Sequence, residues 1–200
     1  MMNRKIYQDQ YDFELNQKNH LASSANVPIM VMTIVGGALS SMVLDFPYAM
    51  EDETFNVLSF TFFALSIGCA ISLLVSTFLL FRAFIGYEHM KLPPPSDLSR
   101  YYEKLLQWHS KNGGGASDAK RDFDDYFCQR LIEAAQRNGE NNKNRGNFLH
   151  TATIMIAAAT LFLAISGALY VSAKRQNDAI PYKVQIIGTV ETQIGESNGK

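Results

Sequence analysis

The chain has 200 residues, 47% of them hydrophobic, and a formal net charge of −1. That balance argues against an electrostatic nucleic-acid binder, whose footprint would be a strong basic surplus. The two cysteines, Cys69 in an apolar run and Cys128 in a polar one, give no disulfide framework and read as free thiols.

The first 26 residues carry Asp9, Asp12 and Glu14 and contain no apolar core, so they do not read as a secretory signal. Tyr7, Tyr11 and Leu15 recur at i, i+4 and i+8 among Arg4, Lys5 and Lys18, which predicts an amphipathic helix over residues 3–25. Such a helix either packs on the protein's own inner domain or lies on a membrane surface.

Residues 27–44, VPIMVMTIVGGALSSMVL, are just long enough to cross a hydrocarbon core of about 30 Å. Pro28 falls in the first turn, where its missing N–H costs no helical bond. Gly36 with Ser40, and Gly37 with Ser41, are small pairs one turn apart that let another helix approach closely. The connection that follows holds Asp45, Glu51, Asp52 and Glu53 without Lys or Arg. It is short enough to make the first two spans an antiparallel hairpin.

The second span, residues 55–85, runs without a charge to Phe81. As a helix that run is about 40 Å long, longer than the ~30 Å of a bilayer core. Arg82 ends it, with a side chain able to reach the headgroups while its stem stays in lipid. Ser59, Ser66, Ser72 and Ser76, with Cys69 between them, recur inside the run. Such hydroxyls line a hydrated path, bond across helices, or bond back to their own backbone.

Three prolines at 93–95 end the helix. Ser96 then caps a new one, in which Leu98, Tyr101, Leu105 and Trp108 follow helical spacing. KNGGGAS breaks it, Ser117 or Asp118 caps the next, and Phe123, Phe127, Leu131 and Ala134 form a matching stripe. The two predict a helical hairpin. NGENNKNRGN, at 138–147, is a polar break or an approach helix. A third span follows at 148–173, with Thr160, Ala164 and Ala168 as a small-residue ladder. In the tail, Val184 and Ile186, then Val190, Thr192 and Ile194, read as short strands with a bulge.

The expected fold is therefore an all-α integral membrane protein with three transmembrane helices, a cytosolic amphipathic helical hairpin and a short strand-like tail. Its parts are an amino-terminal amphipathic helix at 1–26, a transmembrane hairpin at 27–87, the cytosolic hairpin at 88–147, the third span at 148–173 and an external tail at 174–200. Lys and Arg number thirteen in the amino-terminal and central segments and four in the first loop and tail, Arg82 standing at the boundary. By the positive-inside rule the amino terminus and residues 88–147 are cytoplasmic.

Enzymatic signals are poor. GGGAS at 113–117 lacks the Lys of a phosphate loop and reads as a turn. No Cys or His pair has zinc-ligand spacing, and no cofactor motif is present. His20, His89 and His150 all fall near the inner membrane face, as interfacial side chains or as a pH-sensitive ring. The spans carry no Asp, Glu, Lys or Arg before Arg82, which leaves a charged transport site without residues.

Three spans are too few to enclose a path alone, so a homo-oligomer, read as a tetramer, with its pore on the symmetry axis is the expectation. With Arg82 at the inner boundary, Ser66, Cys69, Ser72 and Ser76 are the deep polar positions of the second span and the expected pore lining. Phe62, Phe63 and Leu73 supply the apolar constriction. Gly36, Gly37, Ser40, Thr160, Ala164 and Ala168 are the expected helix-packing positions. On the cytosolic side Arg100, Lys104, Lys120 and Arg121 flank the glycine turn and could meet phosphates, although Asp118, Asp122, Asp124 and Asp125 lie beside them and offer plain surface ion pairing instead.

The polar lead-in ELNQKNHLASSANVPI at 14–29 and the stretch DYFCQRLIEAAQRNGENNKNRGNFLHTA at 125–152 resemble small bacterial anti-phage transmembrane effectors of the SLATT and Pycsar type, and also the DNA-gated channels of Hailong-type defence systems. The resemblance covers residues 14–170. It implies a pore-forming effector in the bacterial inner membrane, answering a nucleotide or oligonucleotide made by a partner enzyme and depolarising the cell. The competing expectation is a non-conducting scaffold that tethers a partner through its helical hairpin.

Overall fold

The computed structural model describes residues 4–48 and 53–178. Five helices account for nearly all of them: α1 (Arg4–Ser24), α2 (Asn26–Asp45), α3 (Glu53–Phe84), α4 (Pro95–Lys111) and α5 (Ala116–Asp178). Three stretches are long and apolar enough to cross a membrane, lying in α2, in α3 and in the second half of α5. This makes the chain, by length and composition, a multi-pass membrane protein. The strands expected in the tail fall beyond residue 178, outside the described residues.

α5 is the axis of the molecule. Its 63 residues extend about 95 Å at 1.5 Å per residue, passing without a break through the boundary expected at 147/148. NGENNKNRGN is therefore an approach helix and not a break. Leu131, Asn138, Arg145, Ala152, Ala159, Ser166 and Ala173 fall seven residues apart, and every one is buried. Cys128, Ala135, Asn142 and Ile156 are buried on a second row of the same period. A sustained seven-residue repeat is the pattern of left-handed helix pairing.

α3 answers with the same period. Phe62, Cys69, Ser76 and Ala83 are spaced by seven and buried against α5. Three hydrogen bonds fix the antiparallel register: the Arg145 Nε–H donates to the Ala83 carbonyl at 2.9 Å, the Ser76 hydroxyl to the Ala152 carbonyl at 3.1 Å, and the Cys69 thiol to the Ala159 carbonyl at 3.3 Å. Each step is seven residues on both helices.

α1 and α2 run alongside α5 in the opposite sense to α3. They form nearly one rod, interrupted at Ala25, where Pro28 supplies no N–H to the Ser24 carbonyl. Tyr11 buries against Phe127 and Leu131, so the packing alternative for the first helix holds. Val35 and Leu39 of α2 fill the groove between Cys69 and Ala159.

α4 folds back along the start of α5, with Tyr101 against Tyr126 (4.4 Å between ring centroids) and Tyr102 against Phe123 (5.3 Å). Its first residue is Pro95, with Pro94 preceding it and no side-chain cap, so Ser96 lies inside the helix and does not cap it. Proline at the first helical position gives up an N–H that has no partner there. Asp118 accepts from the Gly115 N–H at 3.1 Å, the reach-back half of a capping box. In the turn, a Cβ on Gly114 would come within 2.6 Å of the His109 ring, and Gly113 has φ +78, so both positions need glycine.

Candidate functional site

The expected pore residues lie in the seam just described. Cys69 and Ser76 are fully buried and bonded to α5, and Ser66 is buried with a hydroxyl that has no partner among the described residues. Within the chain these three are covered, whereas a lining position of a pore between subunits would stand open. Ser72 is half-buried and donates to the Gly68 carbonyl of its own helix at 2.9 Å. Of the expected constriction, Phe62 is fully buried and stacks on Phe46 with centroids 4.1 Å apart, and Leu73 packs in the α2–α3–α5 core. Phe63 alone stands exposed, on a face it shares with Phe60, Ile67, Ile71, Leu74 and Phe78. A face so bulky and apolar suits lipid tails.

Among the expected packing residues, Gly36 does sit against another helix, its missing Cβ 3.9 Å from Leu73. Gly37 faces open space and Ser40 is exposed, bonding to the Gly36 carbonyl. Thr160, Ala164 and Ala168 are likewise exposed. Within the chain the ladder that closes α5 on α3 is a different one, Ala152, Ala159, Ser166 and Ala173, whose signal is small residues at a spacing of seven.

The four expected ligand cations do not converge. Lys120 and Arg121 share a cavity with Arg4, Asp124 and Asp125, which Arg100 and Lys104 do not line. Arg121 lies 3.6 Å from both Asp118 and Asp122, and Arg100 3.9 Å from Asp97. Exposed pairs of this kind contribute little.

The chemically richest place is where α3 ends and the 85–94 connection crosses α5. The Asn138 side chain is fully buried and pairs with the Met90 backbone, accepting from its N–H at 2.8 Å and donating to its carbonyl at 3.1 Å. One turn on, the Asn141 amide donates to the Glu88 carbonyl at 2.8 Å. The Asn142 amide donates to the Glu14 carbonyl at 2.7 Å and to its carboxylate at 2.9 Å. Its Oδ1 is then left to accept from His89 Nε2, 3.2 Å away, so that nitrogen carries a proton. Gly139 makes room for the Glu14 carboxylate, which a Cβ would approach to 3.2 Å. The asparagine run, unreadable as an apolar stripe, thus ties three segments together.

Arg145 closes this junction from the membrane side. It is 6% exposed, caps the last turn of α3 through the Ala83 carbonyl, and sits over the Phe84 ring at 5.5 Å. Burial lowers its pKa from the ordinary arginine value, with Tyr87 acting in the opposite sense. It lines a cavity of about 580 Å³ together with Lys18, Lys91, Arg137, His89 and Tyr87. Of the expected histidine ring, only His89 belongs to this junction: His20 bonds to Ser24 and His150 is exposed. Sequence reasoning passed over the cavity because its four cations come from three separate segments. Comparison of the chain with protein-family models, with curated proteins and with solved structures gives no match.

Proposed function

We propose that the chain is the subunit of an oligomeric, pore-forming effector of bacterial anti-phage defence, gated by a nucleotide or oligonucleotide and depolarising the inner membrane. The observation that carries this reading is α5, one rod that joins the α4 end to the full depth of the third span. A change at the polar end has no joint in which to be lost. Because the serine seam of α3 is occupied within the chain, the pore stripe of this reading moves to α2, where Thr33, Gly37, Ser40 and Ser41 are exposed. The exposed Thr160, Ala164 and Ala168 then seal neighbouring subunits.

Planar-bilayer recording tests this. Unitary currents on adding candidate nucleotides or oligonucleotides, reduced by Gly37→Trp with the oligomer intact and lost with the oligomer in Ala164→Phe, are the expected result. Silence with every such ligand overturns it and leaves the scaffold reading. That second reading has its own support in Trp108, 58% exposed at the end of α4, a large aromatic surface free to anchor a partner.

A further inference from the structure

We infer that the cavity under the end of α3 is a binding site for a phosphate group, held by Arg145 and Arg137 with Lys18 and Lys91 at its rim. Four cations line it against the single carboxylate of Glu88. Among the described residues none of the four has a carboxylate within 4.0 Å, whereas Arg4, Arg100, Arg121 and Arg130 each have at least one.

Arg145 makes the site more than a patch of surface lysines. The residue is more than nine-tenths buried and commits its Nε to the Ala83 carbonyl. Arg145 lines the cavity with its other guanidinium nitrogens uncommitted to any hydrogen bond among the described residues, and a guanidinium edge with two parallel donors matches a phosphate geometrically. A buried cation without a counterion costs free energy that a bound anion offsets. His89 adds a ring held through Nε2 by Asn142, itself held by Glu14, so its orientation is set from behind.

The level of the cavity leaves two sources for the phosphate. It opens at the end of an apolar helix, one turn past Arg82, where a phospholipid headgroup would lie. It is also wide enough for the phosphate end of a soluble nucleotide. The inference deepens the gating half of the function proposed above and rests on it only for the soluble source; the site itself stands without a channel.

Binding is therefore read without currents. Full-length protein in phosphatidylcholine nanodiscs is titrated with pyrophosphate and with ADP, and melting temperature is followed. In a second arm, nanodiscs with and without phosphatidylglycerol are compared in the absence of any nucleotide. Stabilisation in the first arm assigns a free phosphate ligand, and stabilisation in the second alone assigns a lipid headgroup. In either case Arg137→Gln with Lys91→Gln, both on exposed positions, should weaken the response at least tenfold, while Arg100→Gln with Lys104→Gln leaves it unchanged. Arg145→Lys retains the charge but loses the fork and should weaken it too; if that variant does not fold, the rim pair still decides. No stabilisation in either arm, or the same response in the rim variant, overturns the site. Binding without currents in the bilayer experiment keeps the site and removes the channel.

Discussion

The two halves of α5 keep one spacing and bury opposite kinds of residue. Toward the α4 end the buried row holds Leu131, with Phe127 and Ala134 beside it, and then Asn138 and Arg145. In the span the same row continues as Ala152, Ala159, Ser166 and Ala173. In water, a large apolar side chain gains free energy by leaving solvent, and polar groups are buried only with partners. In lipid the surroundings are as apolar as leucine, so the helices are held by close approach and by hydroxyl and thiol bonds to facing carbonyls. The period fixes which residues meet; the solvent fixes which residues stabilise the meeting.

Truncation should therefore be the costly change in the first half and enlargement the costly change in the second. Leu131→Ala leaves a cavity among Tyr11, Phe127 and Ala134 and should cost about 2–5 kcal/mol. Denaturant titration monitored at the aromatic residues would measure it, and a loss far below that range would mean that this half is loosely packed. Ala159→Leu has no room between Cys69, Val35 and Leu39 and should cost about 1–3 kcal/mol by overpacking. Unfolding in mixed detergent micelles checks this, and an unaffected variant would dissolve the contrast between the halves.

Smaller effects sharpen the comparison. Asn138→Ala orphans both the Met90 N–H and its carbonyl, at about 1–3 kcal/mol for the buried groups left unsatisfied. Amide exchange of Met90 should quicken in parallel. Ser76→Ala removes one bond to Ala152 and should cost only about 0.6 kcal/mol, the usual worth of such bonds in a membrane. A much larger loss would mean that the seam depends on its hydroxyls and not on its small size.

The helical class and the three spans were readable because water-soluble domains rarely hold uncharged apolar runs of that length. α2 covers residues 26–45 against an expected 27–44, and α3 ends at Phe84, one residue before the expected limit. The continuity of α5 was not readable. Gly139, Gly146 and five asparagines look like a breaker sequence until their partners are known. Gly139 faces Glu14 and Gly146 faces Leu21, seven apart on both helices, and three of the asparagines, Asn138, Asn141 and Asn142, bond to chain segments 48 to 128 positions away. The site was hidden for the same reason, since Lys18, Lys91, Arg137 and Arg145 have no local spacing in common. The serines of α3 were visible as a pattern, but their partners are carbonyls of a helix whose register no periodicity in α3 reveals.

The three evenly pitched bonds between α3 and α5 restrict how this bundle is able to move. Sliding α3 by one helical turn breaks all of them together, and the next arrangement with matching spacing lies a whole repeat away, about 10.5 Å along the axis. α3 and α5 therefore travel as one stave. α2 has no comparable fastening: among the described residues its only side-chain bond to another helix is from the Thr77 hydroxyl to the Met32 sulfur at 3.6 Å, and apolar contact holds the rest. α2 is thus the span least fastened by side-chain bonds, and it continues almost end to end the helix whose Glu14 meets Asn142.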